Sequence, residues 1–167
     1  MTAQTLLNRK GTAVHDIQPA ASIADAARLL SDHDIGALVV TNADGVTVGI
    51  ISERDIVRVL SVHGRAALET PVAQVMTRKV MTCSRKEKVV DIMRRMTEGR
   101  LRHLPVVEEN KVVGVVSIRD IVELRLEQIE RDADALREYI HSTSRSRSQD
   151  TLQDRAHLEQ ARFPRVF

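Results

Sequence analysis

The pattern Ser-x-Arg-Asp-Ile-Val occurs twice behind an apolar run, as "GIISERDIV" from Gly49 and "GVVSIRDIV" from Gly114, with Ser52 and Ser117 65 positions apart. One reading of Ser-x-x-Asp before an apolar helical run is a capping box, Ser52 or Ser117 at the N-cap and Asp55 or Asp120 at N3. A cap of this kind is worth about 0.5–2 kcal/mol and needs no ligand. It leaves Arg54 and Arg119 without a reason, because a cation in the first helical turn opposes the helix dipole. An anion nearby would supply one, and phosphates are held by cations and helix N-termini. The second copy carries further basic residues: "GRLRHLPVV" brings Arg100, Arg102 and His103 into the strand before the motif. The first copy has "DIGALVV" there, with Ile35, Gly36 and Ala37 in the aligned positions. The second motif is therefore the better anion site. Arg102 and His103 reach one phosphate together only if the strand starts there, since neighbours in a strand point to opposite faces.

Other chemistry finds little support. No Gly-x-Ser-x-Gly elbow, phosphate-cradling Gly-x-x-x-x-Gly-Lys-Ser/Thr loop or Cys/His nucleophile set is present. The six histidines, at 15, 33, 63, 103, 141 and 157, lack metal-ligand spacing. Cys83 is the one cysteine; it reads as a small half-buried residue, and it makes no disulfide within the chain. The expectation is no enzyme, no metal and no catalytic cofactor. A net charge of +2 and only three aromatic residues, Tyr139, Phe163 and Phe167, argue against stacking on single-stranded nucleic acid. The N-terminus lacks the apolar segment of a secretory signal, and no run approaches the ~20 apolar residues of a membrane span. A cytoplasmic protein without a membrane partner is expected.

Two copies of one unit must position these residues. "SIADAARLL" sets Ile23, Ala26, Ala27 and Leu30 at helical spacing, and "KVVDIMRRM" sets Val89, Ile92, Met93 and Met96 at the same spacing 66 residues later. A β-prone run, a turn and a second run follow in both, "GALVVT", "NADG" and "VTVGIIS" in the first, "RHLPVV", "EEN" and "KVVGVVS" in the second. With the short lead-ins "TAVHDI" and "RKVMTC", each unit is β-α-β-β-α. A unit of about 60 residues is marginal alone, so the fold class is α/β (α+β), two pseudo-symmetric repeats packed sheet to sheet. Their bounds are 8–66 and 67–125. Val122, Leu126, Ile129, Ala133, Leu136 and Ile140 then follow a 4-3 spacing, predicting a heptad helix over 122–141 that either lies back on its own module as one amphipathic helix or, the favoured reading, pairs with the same helix of a second subunit. Residues 142–167, with "SRSRS", read as a flexible linker and tail.

The duplicated unit ending in Ser-x-x-Asp resembles the tandem cystathionine β-synthase (CBS) domain pair, or Bateman module, of a stand-alone bacterial-type CBS-domain protein. The resemblance implies that Asp120 with Ser117, and Asp55 with Ser52, hydrogen-bond the ribose of an adenosine nucleotide, with adenine between the repeats. A carboxylate suits vicinal hydroxyls, because it accepts from both at once. Related modules, including the gamma subunit of AMP-activated kinase, place His and Arg against phosphate where this chain has Arg100, Arg102 and His103, beside Arg119. The lead-in to the partner repeat would supply Lys10, Thr12 and Val14 to the second site, and Thr77, Val80 and Met81 to the first, where Arg54 of the motif itself completes the set. The function implied is a regulatory module that binds AMP, ADP, ATP or NAD(H) and signals occupancy by changing conformation. It would act as a homodimer on a regulated protein. The alternative is an interaction or scaffold protein that binds no ligand and works through the heptad helix and basic tail, on nucleic acid.

Overall fold

A computed structural model of the chain describes residues 1–109 and 111–161. A first compact unit spans Met1–Val122 and a second begins at Glu123.

The first unit opens with a helix the sequence periodicity did not assign, α1 (Ala3–Lys10), ended by Gly11 at φ 90°. Ala3, Leu6 and Leu7 are buried, the i, i+3, i+4 stripe of a short amphipathic helix. This helix belongs to the second repeat: the Ala3 and Gln4 amides donate to the Glu87 and Arg85 carbonyls at 2.9 Å. Leu7 fills the space over Gly114, where a Cβ would lie 2.5 Å from its Cδ2.

Next come β1 (Asp16–Ile17), α2 (Ile23–Asp32), β2 (Ala37–Thr41), β3 (Thr47–Ser52) and α3 (Glu53–His63). Ser22 caps α2 through a capping box with Asp25, the Asp25 amide donating to Ser22 Oγ at 3.1 Å. β1 runs parallel to β2 and β2 antiparallel to β3, giving the order β1-β2-β3. A 3-10 turn (Gly64–Glu69) and α4 (Val72–Val75) lead to the second repeat, which holds α5 (Val89–Glu98), β4 (His103–Glu108) and β5 (Lys111–Ser117). Its lead-in is reduced to one parallel bridge, Cys83 with Val106. The chain is thus a mixed α+β fold with two small sheets.

The periodic residues do what their spacing predicts. Ile23, Ala26 and Leu30 join Leu38, Val40, Ile51 and Ile56 in one buried cluster, while Val89, Ile92, Met96, Leu104, Val106 and Val116 are buried in the second repeat. The registers also correspond: Ala37 pairs with Ser52, and His103 with Ser117. The turns before β2 and β4 match as well, with left-handed Asp34 (φ 49°) and Arg100 (φ 52°) 66 residues apart.

The helix after β5, α6 (Ile118–Ala161), carries the second motif at its start. Its backbone remains helical past residue 141, where the sequence suggests a linker; residues 162–167 of the expected tail lie outside the described residues.

Candidate functional site

β5 ends at Ser117 and α6 starts at Ile118, so the second motif sits at a strand-to-helix junction, where the first amides of a helix need partners from outside its own ladder; the Ile118 amide donates to the Arg102 carbonyl at 2.9 Å. Asp120 Oδ2 accepts from the Ser117 amide at 2.7 Å, and the Asp120 amide donates to Ser117 Oγ at 3.2 Å. The capping box is therefore real. The same Oδ2 also accepts from Lys10 Nζ at 2.7 Å, an ion pair whose side chains are 34% and 17% exposed. Lys10 is the last residue of α1, where a cation favours the negative end of the helix dipole. The pair joins the N-terminal helix to the motif across 110 residues of sequence.

This pair lies on the wall of a cavity of about 740 Å³, within the range that holds a nucleotide-sized ligand. The cavity lining includes the polar Ser117, Arg119, Asp120, Arg102, His103 and Lys10, the further carboxylates Asp34 and Glu53, and the apolar Ala27, Leu30, Ile35, Ile56 and Val57. Both arginines and the lysine are thus within one cavity with a carboxylate and an apolar surface. The arrangement can seat an apolar ring system while hydroxyls meet Asp120 and an anion meets the cations.

β4 begins at His103, so Arg102 precedes the pleat and both residues line the cavity. The His103 ring is pressed against Gly36: a Cβ there would lie 2.7 Å from Cε1 and 2.8 Å from Nε2. Burial, then the Arg102 and Lys10 cations, hold its pKa down from 6.5 to about 4, with Asp120 opposing them. The ring is therefore neutral at pH 7 and adds no charge to the cavity wall. A pH dependence follows. Between 6.5 and about 4 the unfolded chain binds a proton at His103 that the folded chain does not, so this contribution to stability is intact above 6.5 and lost as pH falls through the window. Urea unfolding at roughly pH 7 and pH 4.5 is expected to show a smaller difference for His103→Gln than for the unchanged chain. Equal differences would show that His103 titrates normally in the fold.

The remaining residues singled out in the sequence separate. Arg100 is not among the cavity-lining residues; its carbonyl accepts from Arg54 Nη1 at 3.0 Å, which places it beside the first motif. Ser52 donates to Asp55 Oδ2 from its amide at 3.0 Å and its hydroxyl at 2.6 Å. Thr77 pairs with Ile50 through backbone bonds of 2.9 and 3.0 Å, and Met81 is exposed. Ser52, Arg54, Asp55, Thr77, Val80 and Met81 do not line the cavity, although their neighbours Glu53, Ile56 and Val57 do. From the lead-in the lining residues are Lys10, Gly11, Ala13 and His15, not Thr12 and Val14. The sequence reading also passed over His15, whose ring stacks on His33 at 4.0 Å between centroids, and Asp34 at the left-handed turn. The alternation of an extended lead-in offered that signal, but its parity needed a register.

Among the described residues no group of three or more His, Cys, Asp or Glu could hold a metal ion. Cys83 is buried, which with Glu87 pushes its thiol up to about 11, so it is protonated at neutral pH. No described helix is long and apolar enough to cross a membrane.

The model of one protein family, the CBS domain, matches residues 13–62 and 72–127. A curated relative, the CBS domain-containing protein CBSX3, mitochondrial, of Arabidopsis thaliana, is 35% identical over 71% of this chain. The match spans about 60% of that relative's length. The crystal structure of the CBS-domain containing protein ATU1752 from Agrobacterium tumefaciens shares 43% identity at a TM-score of 0.73, covering 74% of this chain and 92% of that one. Two further structures hold ligands. The CBS domain pair of protein MJ0100, solved with 5′-methylthioadenosine and S-adenosyl-L-methionine, is 27% identical at a TM-score of 0.66, covering 77% and 98%. The CBS domain protein PAE2072 from Pyrobaculum aerophilum, complexed with AMP, is 28% identical at 0.64, covering 72% and 89%.

Proposed function

Because the chain belongs to the CBS-domain family, we propose that it is a regulatory module, not an enzyme, that binds an adenosine-containing ligand in the cavity lined by the second Ser-x-x-Asp motif. The observation that carries this reading is the cavity wall itself: a carboxylate on a helix N-terminus, with Lys10, Arg102 and Arg119 in the same wall and an apolar surface in the same space. Asp120 would take the ribose hydroxyls. The three cations would take phosphate, and Ala27, Leu30, Ile35, Ile56 and Val57 would surround the base. AMP, ADP, ATP and NAD(H) fit this division, and the complexes of MJ0100 and PAE2072 add S-adenosyl-L-methionine and methylthioadenosine to the candidates.

Binding would favour one arrangement of the two repeats, read by a regulated partner as a free-energy difference of about 1–3 kcal/mol. The setting is a cytoplasmic homodimer. Native mass spectrometry of the purified protein, followed by calorimetric titration with AMP, ADP, ATP, NADH and S-adenosyl-L-methionine, tests the reading. Saturable binding of at least one is expected. Absence of binding by all five, in protein shown to carry no co-purified nucleotide, would sink it.

A further inference from the structure

We propose that α6 pairs with the same helix of a second copy of this chain, parallel and in register, along Val122, Leu126, Ile129, Ala133 and Leu136. In the single chain Val122, Leu126, Ile129 and Leu136 are 49%, 55%, 62% and 60% exposed, a row of large apolar residues left open to water on one helix. Their 4-3 spacing assigns Val122, Ile129 and Leu136 to d positions and Leu126, Ala133 and Ile140 to a positions. The row then stops: the next such positions hold Thr143, Arg147 and Asp150, none of which suits a dry seam.

The flanking charges decide both the occupant and its direction. The g positions are Arg125 and Asp132, and the e positions Glu130 and Arg137. In a parallel, in-register pair each g residue faces the e residue five positions later on the other helix. Arg125 then meets Glu130 of the second copy, and Asp132 meets Arg137, opposite charges both times. Two-fold symmetry repeats both pairs. An antiparallel pairing with Leu126 facing Leu136 sets g against g and e against e. It places Asp132 against Asp132 and Glu130 against Glu130, two like-charge contacts near the middle of the seam. The pattern therefore favours one arrangement and penalises its main rival.

The flanking charges are accessible for this use. Glu130, Asp132 and Arg137 are exposed and Arg125 is half-buried. Arg137 now donates to Asp134 at 2.8 Å within its own helix, with both side chains more than 70% exposed, an arrangement that costs little to exchange. Leu126 at a with Ile129 at d tolerates more than two strands, but Ala133 at the next a layer would leave a void in anything wider than a pair.

The test uses the full chain with Cys83→Ala, so that an introduced cysteine is the only thiol. Leu126→Cys is expected to give a covalent dimer on mild oxidation, because equivalent a positions in a parallel pair lie within disulfide reach. In the antiparallel pair the two residues 126 would be separated by about 15 Å along the axis. Arg125→Glu and Glu130→Arg are each expected to weaken association roughly tenfold, and the double variant to restore it. These measurements are independent of nucleotide, so their failure leaves the adenosine-binding reading standing, and absence of nucleotide binding leaves the helix pairing standing. A monomer at working concentration, an assembly of more than two chains, a dimer that cross-links only when Leu126→Cys is combined with Leu136→Cys, or the absence of rescue in the charge-swapped double variant would each overturn the proposal.

Discussion

Asp120→Ala is expected to weaken adenosine-nucleotide binding roughly ten- to a hundredfold while lowering the melting temperature of the ligand-free protein by about 2–8 °C. The two effects have separate origins. Hydrogen bonds to a charged acceptor contribute about 1.5–3 kcal/mol each; the ribose bonds are all lost, but because they form in competition with Lys10 on the same oxygen the net loss is set at the value of about one such bond. The stability loss comes from the capping box, since Asp120 accepts from the Ser117 amide at 2.7 Å and Ala cannot. Lys10, already 34% exposed, turns to water at small cost. Asp120→Asn separates the two further: its side-chain oxygen can still accept from the Ser117 amide, so most of the stability should remain. The charge is gone, so most of the affinity should not. Calorimetric titration with AMP beside thermal unfolding without ligand measures both. An unchanged affinity in Asp120→Ala with the full loss of stability would mean that the motif is a helix cap and nothing more.

Much of this fold could be read from the sequence because its signals are local. The stripe Ile23, Ala26, Leu30 and its echo Val89, Ile92, Met96 place two helices, and the Ser52 and Ser117 junctions end two strands where the structure ends them. α1 was not legible for a physical reason. Eight residues make too short a window for periodicity, and a helix of that length holds only through packing, here Leu7 against Gly114 and the Ala3 and Gln4 amides on the segment before α5. The first strands shrank for a related reason: β1 has only two residues and its counterpart is a single bridge, so the β-prone lead-ins were mostly extended chain.

The site divides the same way. Asp120 and Ser117 could be found because they lie three residues apart, and Arg102 and His103 because they interrupt an apolar strand. The parity of the lead-in could not: a slip of one residue exchanges the faces of an extended chain. The contacts that fix it, Asp16 with Val39 and Ile17 with Val40, are non-local. Pairing across the repeats was likewise invisible. Arg100 belongs with Arg54 rather than with its sequence neighbour Arg102 because the Asp34 and Arg100 turns exchange partners between repeats.

Lys10 illustrates most clearly what the three-dimensional structure adds, and Lys10→Met is expected to move two affinities in opposite directions. Nζ lies 2.7 Å from the Asp120 oxygen that also accepts from the Ser117 amide. A ribose arriving at that carboxylate must displace the ammonium or share with it. Adenosine, which offers the displaced cation nothing in return, should therefore bind the variant more tightly, by roughly two- to fivefold for a partly exposed ion pair. AMP offers a phosphate to the same cation. It should bind the variant more weakly, by about tenfold, because a charge-assisted bond is lost while Arg102 and Arg119 remain. The ratio of AMP to adenosine affinity thus falls by more than either change alone, and raising the salt concentration should shrink the AMP effect first. Met keeps the aliphatic stem, so stability should change by less than about 1 kcal/mol. Parallel titrations of the two ligands decide the matter. If both affinities fall together, Lys10 merely orients Asp120, and the displaced ammonium plays no part in recognising phosphate.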